Sequence, residues 1–122
     1  MSFSKVYSAQ TQLLNVTEIS VETDITSRTL YAFAVVGLPD KAVEEARDRV
    51  SAAIKNSGFE SPKSRNQKIV ISLAPADVRK EGPHFDLSMA LSYLLAKEEI
   101  EFDPEGKIFL GELSLDGKVR AI

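Results

Sequence analysis

The stretch IVISLAPADVRKEGPHFDLSMALSYLL, from Ile69 to Leu95, decides the fold because it joins two apolar elements through one charged loop. The apolar run before Pro75 predicts a buried strand over 68–74. The almost wholly apolar segment after the loop predicts a helix over 83–96, with apolar residues around more than half of its circumference. A loop between two buried elements must surface where the scaffold holds it, so it is a natural place for a site.

A second helix is predicted upstream of this stretch. It opens at Gly37-Leu38-Pro39-Asp40, since proline is tolerated in a first helical turn and an acidic residue favours the positive end of the helix dipole. Gly58 is placed to cap its C-terminus. Its apolar residues recur at the spacing of one helical face: Val43, Ala46, Val50, Ala53 and Ile54.

The remaining segments predict strands. Alternation and β-branched residues favour strands over 3–9 and 16–25, with one bulge or a shifted boundary in the second, and 30–36 reads as a central strand. Asp116-Gly117 is a favoured hairpin turn pair between strands over 107–115 and 118–122. The predicted order is β-β-β-α-β-α-β-β, an α/β (α+β) domain that takes up residues 1–122.

Composition narrows the class of protein. The chain has 122 residues, 43% of them hydrophobic and 27% charged, with a formal charge of −3 and no cysteine. It therefore has the size of one domain, no disulfide or thiolate metal site, and no overall basic field that would draw it onto nucleic acid. No apolar stretch approaches membrane-spanning length, and the pattern fits a cytoplasmic protein.

The sequence gives only weak support for two kinds of chemistry, nucleotide binding and metal binding. Gly106 and Gly111 have the glycine spacing of a phosphate-binding loop, but Glu112-Leu113 stand where such a loop needs Lys and Ser or Thr. We expect no ATP hydrolysis by this segment. His84, the only histidine, lies near acidic residues at a spacing that matches no recognised metal-ligand motif, so no metal site is predicted.

Charged residues supply the remaining candidates. Asp86, between two apolar residues at the start of a buried helix, is expected to pair with Arg79 or Lys80 and either fixes the loop or contacts a partner. A second basic neighbourhood, which Arg79 and Lys80 could join, forms either a rim for a phosphate backbone or a solvated surface. Its candidate contact residues are Lys63, Arg65 and Lys68.

Several motifs in order along the chain resemble one known family. They include Asn56-Ser57-Gly58-Phe59, the run LAPADVRKEGP from 73 to 83, Phe85-Asp86-Leu87 and the run GELSLDG from 111 to 117. The chain resembles the N-terminal domain of the YifB/ComM family, the magnesium-chelatase-like AAA+ ATPases of bacteria. The resemblance implies a ribosomal-protein-S5-domain-2-like fold, with a mixed sheet and two main helices, shared with the Lon protease domain.

The comparison with Lon proteases implies a lost nucleophile. Their motif K-D-G-P-S-A-G resembles Lys80-Glu81-Gly82-Pro83-His84-Phe85-Asp86, in which the serine position is His84. An imidazole cannot replace a serine hydroxyl in forming an acyl-enzyme with a lysine base. The resemblance thus implies a domain with no catalytic residue.

The resemblance also implies what kind of larger protein contains this domain. We expect a domain of a longer, ring-forming AAA+ protein, with ATP and Mg²⁺ in the AAA+ module and a role in assembly or in guiding DNA for branch migration. The expected partner or DNA contacts are Arg79, Lys80, Asp86, Lys63, Arg65 and Lys68. The residues expected to shape the loop are Asp77, Glu81, Gly82 and Pro83. The alternatives are a repurposed Lon-like peptidase using His84 and Asp86, and a metal-handling module.

Overall fold

The computed structural model describes residues 2–12 and 14–121. They form six strands and two α-helices in the predicted order. The elements are β1 (Phe3–Gln12), β2 (Asn15–Ser27), β3 (Ala32–Val36), α1 (Asp40–Asn56), β4 (Gln67–Ala74), α2 (Asp86–Ala96), β5 (Glu112–Leu113) and β6 (Val119–Arg120). Short 3-10 turns precede β4 and α2, at Pro62–Ser64 and Pro83–Phe85.

The main sheet has four strands in the order β1-β2-β4-β3, so the prediction of a central strand over 30–36 is wrong: β3 is an edge strand that pairs only with β4. β1 and β4 both pair antiparallel with β2, whereas β3 runs parallel to β4, so the sheet is mixed as predicted. The β1–β2 register runs unbroken from Phe3 opposite Asp24 to Gln12 opposite Asn15. Of the two alternatives predicted for β2, the bulge is wrong, whereas the boundaries are shifted, to Asn15–Ser27. Ile19, Val21 and Ile25 share one face, and Val16 is exposed.

One face of the sheet carries the core, and both helices cover it. Alternate residues of each strand point toward the helices, as the period of two requires. α2 packs across β1 and β2, and α1 lies beside α2. The buried apolar side chains come from every main element and include Val6, Val21, Phe33, Val50, Ile69, Ile71, Phe85 and Met89.

The ends of α1 are set by backbone geometry. Gly58 has a φ of +92°, and its N–H donates to the Lys55 carbonyl while the N–H of Phe59 donates to that of Ile54. This pair of bonds is a Schellman motif, so the predicted cap at Gly58 is confirmed. Before the helix, Gly37 has a φ of +105°, and an added Cβ would lie 2.5 Å from the Leu73 carbonyl oxygen.

The C-terminal hairpin is smaller than predicted. β5 pairs antiparallel with β6 around the turn containing Asp116-Gly117, but each strand has only two residues. The prediction of a strand from 107 is wrong because the backbone of Gly111 turns toward α2, donating to the His84 carbonyl and accepting from the Leu87 N–H. The preceding residues lie along the free edge of β1, where Phe109 N–H donates to the Tyr7 carbonyl at 2.9 Å.

Candidate functional site

Lys80 lies inside the charged loop that leads from β4 to α2. Its side chain is 1% exposed, and its ammonium donates to the backbone carbonyls of Pro75 and Val78. Both bonds lie within the loop, so the Lys80 charge is satisfied by backbone carbonyls of the loop itself. The expectation that Lys80 contacts a partner does not fit this burial, because its charged end does not reach the surface.

Gln10 in β1 fixes the same loop from outside. Its side-chain N–H donates to the Arg79 carbonyl, and its side-chain oxygen accepts from the Glu81 N–H at 2.8 Å. One amide thus satisfies a donor and an acceptor of an irregular segment that would otherwise depend on water. The sequence analysis missed Gln10, since nothing in a strand pattern indicates a loop partner about 70 residues away.

The exposed part of the loop carries Arg79 and Glu81. Their side chains are 81% and 68% exposed, and Arg79 Nε lies 3.1 Å from Glu81 Oε1. Asp77 is also exposed. Gly82, with a φ of +89°, directs the chain into the turn that begins at Pro83. Because its side chain is largely exposed, Arg79 is accessible to a partner. Its ion pair with Glu81 is exposed as well and contributes little to stability.

His84 occupies the position where the resemblance to Lon proteases implies a lost serine. Its Nε2 lies 3.1 Å from the Ala9 carbonyl oxygen, and its ring packs on Phe85. Burial lowers the pKa of His84, although the Ala9 carbonyl and the nearby Asp86 carboxylate oppose this. A neutral ring that donates from Nε2 fits the contact, so His84 ties the start of the α2 segment to β1.

Asp86 is paired with Arg49, a residue that the sequence analysis missed. Arg49 Nε donates to Asp86 Oδ2 at 2.6 Å and its Nη2 to Oδ1 at 3.1 Å, a bidentate geometry. The Leu113 N–H also donates to Asp86 Oδ2, at 3.1 Å. The prediction that Arg79 or Lys80 pairs with Asp86 is therefore wrong, because Arg79 pairs with Glu81 and Lys80 bonds to carbonyls of the loop.

Burial dominates the electrostatics of this carboxylate. Asp86 is 1% exposed, and burial raises its pKa while the bonds from Arg49 and from the Leu113 N–H oppose the rise. The hydrogen bonds to Asp86 raise the pKa of Arg49, which stays charged. A carboxylate with three donors at this depth joins α1, α2 and β5, and it is not exposed to contact a partner as expected.

The position of Arg49 in the helical pattern of α1 does indicate that its side chain can reach the interior. Arg49 lies three residues after Ala46 and four before Ala53, on the edge of the buried face of α1. A cavity of about 280 Å³ opens beside it, and Glu45 and Glu112 line this cavity together with Asp86. Those carboxylates make the cavity unsuitable for an anionic ligand.

The three basic residues after α1 lie at the other end of the sheet from Arg79. Lys68 is the second residue of β4 and Arg79 follows the end of that strand, so roughly 20 Å of strand separates the two regions. The idea that Arg79 and Lys80 join this basic neighbourhood is therefore wrong. Arg65 is bidentate to Glu60, at 2.6 and 3.1 Å, whereas Lys63 lines a cavity that also contains Glu44 and Asp48.

The described residues also bear on two other kinds of site, a metal centre and a membrane span. Within residues 2–12 and 14–121, no group of three or more His, Asp or Glu side chains is arranged to hold a metal ion. Over the same described ranges, neither helix is both long and apolar enough to cross a bilayer. No hydrogen bond joins His84 to Asp86 in the described part of the chain, because each has other partners.

Fold and site together define a two-helix α+β domain with a mixed sheet, consistent with the S5-like fold, and with a charged loop bonded to its scaffold. A family model described as subunit ChlI of Mg-chelatase matches residues 21–122. The chain belongs to that family, and the expected membership, an N-terminal domain of the YifB/ComM group, is confirmed.

Three relatives illustrate the match. The chain is 43% identical to the uncharacterized protein YifB of Escherichia coli K12 over all of its length and 24% of the relative's. It is 37% identical to the uncharacterized protein Rv2897c of Mycobacterium tuberculosis, again over 24% of the relative. It is 37% identical to competence protein ComM of Haemophilus influenzae, covering 23% of it. The chain thus spans about a quarter of the length of these relatives.

Proposed function

We propose that this chain is a non-catalytic domain of a larger bacterial ATPase of the magnesium-chelatase-like type. One observation carries the proposal: the chemically competent groups of the charged loop are each bonded to other groups of the protein, within the loop or on the scaffold. The Lys80 ammonium, the His84 imidazole and the Asp86 carboxylate all have protein partners. A general acid or base must reach the substrate proton, and groups held in this way are suited to fixing a loop.

Within the whole protein, the domain guides DNA toward the motor. One relative is named a competence protein, and a part in DNA branch migration is what the family resemblance implies for the whole protein. On this proposal ATP and Mg²⁺ bind in the AAA+ module, the full-length protein forms a homo-oligomeric ring, and the present domain packs on its own AAA+ module. It contributes a contact surface and leaves the chemistry to the ATPase.

The distribution of exposed cations supports a DNA-guiding role. Lys68 and Arg65 are exposed near one end of the sheet, although the chain as a whole is acidic. Lys68 has no carboxylate partner among the described residues. A local basic region of this kind is what phosphate contacts require when the net charge of the protein is negative.

The test measures binding of single-stranded and forked DNA by the full-length protein at two salt concentrations. An Arg65→Ala, Lys68→Ala variant is compared with Arg79→Ala, which changes the opposite end of the sheet. We expect the double variant to bind more weakly, with the salt slope reduced by about 0.7 for each lost phosphate contact on single strands. Unchanged affinity and slope in both variants would remove Arg65, Lys68 and Arg79 from the DNA path.

A second experiment tests the non-catalytic part against the peptidase alternative. The 122-residue chain is incubated with an unfolded protein substrate such as casein, beside its His84→Ala variant. We expect no cleavage by either protein. Cleavage by the original chain that disappears in His84→Ala would show that His84 is catalytic, and the proposal would then be wrong.

A further inference from the structure

A groove of about 700 Å³ lies at the end of the sheet where β2 turns toward β3. Residues 27–30 of the turn, residues 65–67 at the start of β4 and Lys97 after α2 line it. Three of these side chains are cations, namely Arg28, Arg65 and Lys97, and none is a carboxylate. The lining is therefore positive in a chain whose net charge is −3.

Lys97 is positioned in this groove by a buried amide. Its ammonium donates to Gln67 Oε1 at 3.0 Å, and Gln67 is only 1% exposed. The Gln67 side-chain N–H groups donate to the Pro62 carbonyl at 2.9 Å and to the Tyr93 hydroxyl at 3.0 Å. An ammonium has three donors, so two remain for a ligand once the bond to Gln67 is made.

Arg28 occupies the left-handed region of backbone space, with a φ of +62°. Its N–H donates to the Asn66 carbonyl at 2.9 Å, which holds the turn in place. Glycine or asparagine would adopt this conformation at lower cost, and such conformations in other residues cluster at functional sites. The Arg28 guanidinium is exposed and has no hydrogen bond or ion pair within the part of the chain that the structure describes.

The neighbouring acidic residue Glu60 does not neutralise the groove. Glu60 accepts both bonds of the bidentate pair with Arg65, and Arg65 lowers the pKa of Glu60. Its charge is thus matched chiefly by Arg65. Glu60 and Glu99 also line a pocket with Lys97, but the Lys97 ammonium bonds to Gln67 and to neither carboxylate, so Arg28 and Lys97 remain available. Hydroxyl and amide groups of Ser27, Thr29 and Asn66 add the neutral polar groups that accompany cations at phosphate contacts.

We propose that this groove binds the sugar–phosphate backbone of single-stranded DNA through Arg28 and Lys97. The proposal rests on the proposed DNA-guiding function and names residues that the sequence analysis did not assign. Leu30, which is 87% exposed at the rim, offers an apolar contact for the sugar or base beside the phosphate. This combination favours a nucleotide strand over an acidic peptide.

The experiment titrates the ¹⁵N-labelled chain with a thymidine hexanucleotide and measures affinity by fluorescence anisotropy. We expect the amide signals of Thr29 and Asn66 to shift. Arg28→Gly and Lys97→Met are each expected to weaken binding by about three- to tenfold, the loss typical of one net hydrogen bond at a solvent-accessible site. Glycine suits the left-handed backbone at position 28, so Arg28→Gly removes the cation without unfolding the turn.

Lys41→Met is the matched control, because Lys41 is an exposed cation at the first turn of α1, away from the groove. Signals that shift only around Arg79, or affinity unchanged in both groove variants, would overturn the groove while leaving DNA guidance in place. A poly-glutamate peptide that competes equally with the oligonucleotide would also overturn it. A third outcome separates the two proposals: the NMR signals of groove residues shift, but the Arg28→Gly change leaves DNA binding by the full-length protein unaffected. That result would support binding in the groove and contradict the guiding role.

Discussion

Asp86 shows how much of this fold depends on one side chain. Its two oxygens accept from Arg49 of α1 and from the backbone of Leu113 in β5, while its own backbone begins α2. Removal of one partner from a buried ion pair leaves the other charge without compensation, which is more costly than the loss of an exposed pair. Arg49 lies 37 residues before Asp86 in the sequence, and Leu113 lies 27 residues after it.

We expect Asp86→Asn to lower the free energy of unfolding by about 3 kcal/mol, because the amide cannot balance the Arg49 charge. Urea denaturation followed by circular dichroism measures the change. Asp116→Asn is the matched control, since Asp116 is exposed and bonds only within its own turn. Asp86→Asn as stable as the original chain would contradict the role of the ion pair.

His84 predicts a pH dependence of stability. Burial lowers the pKa of His84 in the folded chain below its ordinary value of 6.5. Between these two pKa values the unfolded chain binds more protons, so stability rises with pH through that window and falls as the pH drops below 6.5. The slope from this one group is at most about 1.4 kcal/mol per pH unit.

The measurement is a series of urea midpoints between about pH 5 and about pH 7, the range in which histidine titrates. His84 is the only histidine, so His84→Gln is expected to flatten the upper part of this profile. A variant whose stability follows pH as steeply as the original chain between about pH 6 and about pH 7 would assign the dependence to another group.

At the scale of elements, the junction between β3 and α1 depends on Gly37. We expect Gly37→Ala to lower the free energy of unfolding by about 3 kcal/mol, because it combines a left-handed φ with a collision at the Leu73 carbonyl. Gly58→Ala is the control: Gly58 has a similar φ, but nothing lies within 4 Å of an added Cβ. Differential scanning calorimetry of both variants separates collision from strain, and equal losses would exclude the collision.

The charged loop depends on an element far from it in sequence. We expect Gln10→Ala to free the Glu81 amide, so that its hydrogen exchange becomes much faster and about 1 kcal/mol of stability is lost. The neighbouring Thr11→Ala, on an exposed position of the same strand, is the control. A Glu81 amide that stays equally protected in Gln10→Ala would mean that Lys80 alone holds the loop.

Local sequence patterns predicted the helices, strands and turns more accurately than they predicted the tertiary contacts between them. The face of α1, its cap at Gly58 and the Asp116-Gly117 turn depend on neighbours within a few residues, and each was predicted. The strand from 107 was not, because alternation does not reveal that Gly111 bonds to the α2 segment. The same holds for the candidate site. The position of the charged loop was predicted, but the partners of Asp86 and Lys80 were not, because they depend on tertiary packing.

At the scale of the whole molecule, the two ends of the sheet should behave independently. The loop at Arg79 and the groove at Arg28 flank β4 from opposite ends, and variants more than about 10 Å apart usually add within about 0.5 kcal/mol. We expect Gln10→Ala and Arg28→Gly to be additive in urea denaturation, whereas Arg49→Met and Asp86→Asn are not, since they share one ion pair. Strong coupling between the distant pair would show that β4 transmits changes along its length.

The bond between Asp86 and the Leu113 backbone also has a mechanical consequence. A pulling force applied to the C-terminal hairpin passes through the Leu113 N–H to Asp86, and from there to α2 directly and to α1 through Arg49. The bonds of Gly111 to His84 and Leu87 run alongside this route and share the load. We therefore expect tension at this hairpin to be shared by both helices and, through His84, by β1.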